Sequence, residues 1–145
     1  MKRFVFSQPD MNYWLIKSDP EEFGWKELLR DGKTAWTGVR SAAAALNLKK
    51  MKAGDTALFY ESQGPKEIVG LSVIKKAAYP DPTNTDPKRE WVAVDVVPGK
   101  PFKRPVTLAE IKADPFFLDF LLVRQSRLSV MPVTVKQYED RKSVV

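Results

Sequence analysis

Two apolar, β-branched runs constrain the fold most: TALFY (Thr56 to Tyr60) and IVGLSVI (Ile68 to Ile74), separated only by ESQGPKE. A loop of that size carrying Gly64-Pro65 turns the chain back on itself, so the pair predicts a β-hairpin. Strand-like runs also occur at Tyr13 to Lys17, Trp91 to Val97 and Leu128 to Val133. Between them lie short helix signals. Pro20 suits the first turn of a segment reaching Phe23, and Trp25 to Arg30 ends on Asp31-Gly32. Ser41 can cap a helix over the alanine run to Lys50. Thr107-x-x-Glu110 and Thr134-x-x-Gln137 have the capping-box form, and Asp114-Pro115 marks another helix start. Thr34 to Arg40 reads as irregular, and YPDPTNTDPKR, Tyr79 to Arg89, as a surface loop with three prolines. Five or six short strands with helices that do not alternate as βαβ units predict an α+β fold built on a small mixed barrel or curled sheet.

The 145 residues fit one domain. The opening MKRFVFSQPD has no clear period and is followed by a second methionine, Met11. Residues 1–10 are therefore expected to be a tail and 11–145 the domain. No apolar run approaches the roughly 20 residues of a membrane span, and no signal-peptide pattern is present, so a soluble, cytoplasmic protein is expected.

The chain contains no cysteine and no histidine. Disulfides, thiolate metal sites and Ser-His-Asp arrangements are excluded, and the commonest metal ligand and general base are missing. A net charge of +6, from 24 Lys and Arg against 18 Asp and Glu, permits a polyanionic partner without requiring one. No metal or cofactor is implied.

Four short motifs can carry chemistry. WTGVR places Trp36, Gly38, Val39 and Arg40 together: an aromatic face for stacking, open backbone and a cation for phosphate. On these residues alone the plainer reading is the stronger, an indole plugging the core and an arginine at the surface. In FYES, Tyr60 and Ser62 alternate with Phe59 and Glu61, and on these residues alone an ordinary amphipathic strand end is the stronger reading. Lys17 and Ser18 end the first strand, where a lysine commonly reaches solvent. RQSR gathers Arg124, Gln125, Ser126 and Arg127 at the mouth of the last strand. Its arginines suit phosphate or a base edge, and salt bridges to Asp119 or Glu110 suit them as well. The clusters Lys49-Lys50-Lys52, Lys75-Lys76 and Lys100/Lys103/Arg104 are individually unspecific, and nothing in the sequence shows that they converge.

Taken together, YWLIKSDP, WTGVR, LKKMKAGD, ALFYES, KEIVGLSVI, AYPDPT, WVAVDV, PVTLAEIKADP and RQSRLSVMPV resemble, in this order, the EVE domain of the PUA-like superfamily, related to the YTH domain. The likeness spans Tyr13 to about Tyr138. It implies a PUA-like mixed β-barrel surrounded by short helices, no catalysis, and a pocket for a modified base flipped out of DNA or RNA, with modified cytosine the main proposal. The matching positions are Lys17, Ser18, Trp36, Gly38, Val39, Arg40, Tyr60, Ser62, Arg124, Gln125, Ser126 and Arg127. Two positions depart from the family pattern. Glu61 stands where histidine is usual and is expected at the pocket, where it would accept from an exocyclic amine. Ser41-Ala42 replaces an Asn and a bulky residue. The partner implied is nucleic acid; the sequence leaves the oligomeric state open, with a monomer expected. The alternatives are a PUA-like amidohydrolase using Lys17 and Glu61 as base and acid, and a small-ligand domain.

Overall fold

The computed structural model describes residues 12–141. The expected tail, residues 1–10, lies outside them. One six-stranded mixed sheet organises the chain, with strands in the order β2-β5-β4-β3-β1-β6. They are β1 (Tyr13–Ser18), β2 (Thr34–Trp36), β3 (Thr56–Glu61), β4 (Glu67–Pro80), β5 (Val92–Thr107) and β6 (Val130–Val133). β1 runs parallel to β3, while the other neighbours are antiparallel. The helices are α1 (Trp25–Asp31), α2 (Ala42–Lys50), α3 (Leu108–Ala113), α4 (Leu121–Arg124) and α5 (Val135–Arg141), with a 3-10 turn at Pro115–Phe117. No helix among the described residues is long and apolar enough to cross a membrane.

The β3–β4 hairpin forms as expected, and the capping boxes at Thr107/Glu110 and Thr134/Gln137 both close. Four expectations change. Pro20 to Phe23 is a turn, held by Glu22 N–H and Phe23 N–H donating to the Asp19 carbonyl at 2.9 and 2.8 Å. The segment read as irregular begins with the short strand β2, paired to β5 through Trp36↔Val94. β4 runs on to Pro80, so the proline-rich loop starts at Asp81. β5 continues through Pro98, Pro101 and Pro105, which the sequence reading left unassigned. Beyond Val96, β5 has β4 as its only strand neighbour among the described residues, so residues lacking an N–H can face an open edge. Register shifts along β4 absorb the remaining mismatch.

The sheet is strongly curled. β2 and β3 are three strands apart, about 14 Å in a flat sheet, yet the Trp36 and Phe59 rings meet at 5.7 Å between centroids. Phe59, fully buried, also packs edge-on against Trp25 at 5.4 Å, and Phe23 packs on Trp36 at 6.5 Å. Gly70 makes room for this cluster, since a Cβ there would stand 2.6 Å from the Trp25 ring. At the other end of the sheet, buried Asp55 accepts from the Trp14 indole N–H (2.9 Å), Lys52 N–H (2.9 Å) and Asn12 N–H (3.2 Å). Those bonds tie the start of β1 to the turn entering β3. Tyr13 sits opposite Val133 in the ladder, and its ring stacks on Tyr138 of α5 at 4.0 Å.

Candidate functional site

The C-terminal end of β1 and the segment following β2 border a cavity of about 720 Å³, within the roughly 300–1,000 Å³ of ligand pockets. Lys17 enters it from β1. Its backbone N–H donates to the Ser129 carbonyl (3.0 Å) and its ammonium to the Ser126 carbonyl (2.8 Å). Burial lowers the ammonium's pKa from its ordinary value. The Ser18 hydroxyl donates to the Phe23 carbonyl, which fixes the turn that brings Asp19, Glu22 and Phe23 into the cavity lining. Trp36, half-buried, presents one part of its indole to the core and another to the cavity.

Gly38 has φ +82°, in the left-handed region where a side chain is strained, and no atom would contact a Cβ built there. Its N–H donates to the Asp81 carboxylate at 2.9 Å. The same carboxylate oxygen takes Arg40 Nη1 at 2.9 Å, and the other takes Thr83 N–H and Thr83 Oγ1, each at 2.7 Å. Arg40 Nη2 reaches Thr83 Oγ1 at 3.0 Å and Nη1 reaches the Val39 carbonyl at 3.1 Å. Burial alone would raise the Asp81 pKa. The hydrogen bonds from Thr83, Arg40 and Gly38 outweigh it and hold the group well below the usual carboxylate range. The guanidinium is thus held at the rim with 37% of its side chain still exposed. Asp81 and Thr83 belong to the segment read as a surface loop. Their role was invisible locally because the partner lies some forty residues upstream.

Of the expected site residues, the structure gathers Lys17, Ser18, Trp36, Gly38, Val39 and Arg40 around this cavity. Asp19, Glu22 and Phe23 join them, as the sequence reading did not foresee. Gln125, Ser126 and Arg127 line an adjoining cleft of about 360 Å³, which meets the cavity at Ser41. Arg124 closes α4, exposed, and donates to Asp119 at 3.2 Å, forming a salt bridge at the surface.

Tyr60, Glu61 and Ser62 lie behind the lining. The Tyr60 ring is 3% exposed with the Lys17 ammonium 5.9 Å from its centroid, so no face is open for a base. The Ser62 hydroxyl donates to the Ser18 carbonyl at 3.2 Å and holds β1 to β3. Glu61 is corrected most. Its carboxylate accepts the Trp25 N–H at 2.8 Å and caps the first turn of α1. Lys17 is the register partner of Tyr60, and Glu61 points to the opposite side of the sheet, so Lys17 and Glu61 do not form an acid–base pair.

Comparison with known proteins agrees with this architecture. A Rhodopseudomonas palustris protein solved by NMR superposes with a TM-score of 0.85 at 43% identity, over 92% of each chain. Rat thymocyte nuclear protein 1 is 34% identical over 161 residues, spanning 88% of this chain and 71% of that protein. The crystal structure of the human THYN1 protein in complex with 5-methylcytosine-containing DNA matches with a TM-score of 0.82 at 29% identity, over 91% of this chain and 96% of that one. An ASCH protein from Zymomonas mobilis, 13% identical, shares the fold with a TM-score of 0.59. The family model of the EVE domain matches residues 12–140. The chain belongs to the EVE domain family, with the α+β, PUA-like architecture of that group.

Proposed function

We propose that this domain binds nucleic acid and reads a modified base, a modified cytosine turned out of its strand into the 720 Å³ cavity. The observation carrying the reading is the Asp81 anchor. It fixes the Arg40 guanidinium and the Gly38 backbone beside the Trp36 indole before any ligand arrives. A flat partner needs an aromatic wall, and a phosphodiester needs a cation that does not have to be reorganised. Phe23 and Val39 give apolar surface for a C5 methyl, and the Glu22 or Asp19 carboxylate can accept from the exocyclic amine, the task first expected of Glu61. That the human THYN1 protein was solved with 5-methylcytosine-containing DNA supports the choice of cytosine.

The test is binding of oligonucleotides carrying cytosine, 5-methylcytosine or 5-hydroxymethylcytosine, single- and double-stranded, with modified and unmodified tRNA alongside. Arg40→Ala and Trp36→Ala serve as controls, their folding checked by thermal melting. One modified base should bind about fivefold tighter, ~1 kcal/mol, with that preference lost in Trp36→Ala, while Arg40→Ala weakens every polymer alike. Equal binding of every polymer, unaffected by either variant, would show that the cavity does not read bases.

A further inference from the structure

The cavity has a neighbour. Arg40, at its rim, lies over the Trp91 indole with Cζ 5.6 Å from the ring centroid, and Arg89 lies over the same ring at 5.6 Å. Past this stack runs a groove of about 310 Å³ between α2 and the loop that starts at Asp81. Lys49 enters it from α2, and Lys88 and Arg89 enter from the loop. None of the three has an ion-pair partner among the described residues, and Glu90 is the one carboxylate in the lining. Basic residues some forty positions apart in sequence therefore face one channel. Indole and guanidinium planes beside them are surfaces on which any base can stack.

We infer that this groove is a second nucleotide subsite, which holds the strand flanking the base in the cavity. Lys49, Lys88 and Arg89 contact phosphates, the Trp91–Arg89 stack receives the adjacent base, and Arg40 is the wall the two subsites share. This rests on the base-reading proposal and extends it: the ligand is a polynucleotide strand, and a free nucleotide fills only half the site.

The test compares a single-stranded 9-mer with a central 5-methylcytosine against 5-methyldeoxycytidine monophosphate, at several salt concentrations. The variants are Trp91→Leu and the triple Lys49→Ala/Lys88→Ala/Arg89→Ala, whose positions are all exposed. The native protein should bind the 9-mer at least tenfold tighter than the mononucleotide. The triple variant should lose that advantage and flatten the log–log salt slope by about 2, from three lost single-strand phosphate contacts. Its mononucleotide affinity and preference for the modified base should stay. Trp91→Leu should weaken the 9-mer with its salt slope intact. Native 9-mer affinity and slope in the triple variant, with base preference retained, would overturn the groove and leave the cavity reading standing. A native protein with no base preference would overturn both.

Discussion

The Asp81 carboxylate takes four hydrogen bonds from three residues, and two of them set the cavity rim. Asp81→Asn would turn an N–H₂ toward one of those donors. Its expected cost is about 2 kcal/mol at pH 7, the scale of hydrogen bonds to a charged group, with weaker binding of the modified base. The pH dependence has a definite sign. The folded-state pKa is held below the ordinary 3.8, so this stabilisation is complete above that value and fades as pH falls through the folded pKa. Urea unfolding at pH 7 and 5 should give the same gap between native and variant, and at pH 3 a smaller one. A gap that grows in acid would sink the account. At this scale the cavity was half legible. Trp36 through Arg40 and Lys17-Ser18 stand in runs that resemble the family, whereas Asp81 acts through a partner that no local pattern reveals. Glu61 was misplaced because alternation along β3 tells which side it faces, but not that the start of α1 lies there.

Two contacts between elements turn on one residue each. The Glu61 carboxylate joins the end of β3 to the start of α1. Glu61→Gln keeps an acceptor while removing the charge, so a loss of about 1 kcal/mol is expected, with base preference unchanged. Lost preference at full stability would return Glu61 to the pocket. Gly70 is the second point, on β4 beneath the Trp25 ring of α1. An added methyl would overlap an indole already wedged against Phe59. Gly70→Ala should cost 1–3 kcal/mol (approximate range) in chemical denaturation and shift Trp fluorescence in the folded state; wild-type stability would mean that α1 moves freely. The capping boxes were readable because their signal is complete within four residues. The second half of β5 was not, since its prolines are strand breakers except at an open edge, and edges are decided by the rest of the sheet. α4, four residues long, is too short to show any period.

For the molecule as a whole, the sheet depends on distant pairings. β1 has no neighbour from adjacent sequence: it lies between β3 and β6, with Tyr13 facing Thr56 on one side and Val133 on the other. Closing such loops precedes most of the stabilising contacts, so refolding followed by tryptophan fluorescence should take milliseconds to seconds. A phase complete within about 0.1 ms would point to a local nucleus instead. The fold class was legible because a run of strands without regular βαβ alternation leaves few architectures. The strand order was not, because it depends on pairings between distant segments, more than a hundred residues apart in the case of β1 with β6.

The pairing of Tyr13 with Val133, and the stacking of Tyr13 on Tyr138, bring the two ends of the described domain side by side. A domain whose entrance and exit coincide can be spliced into a surface loop of a host protein without prising that loop apart. It can equally be re-cut, with its old ends joined and new ones opened elsewhere.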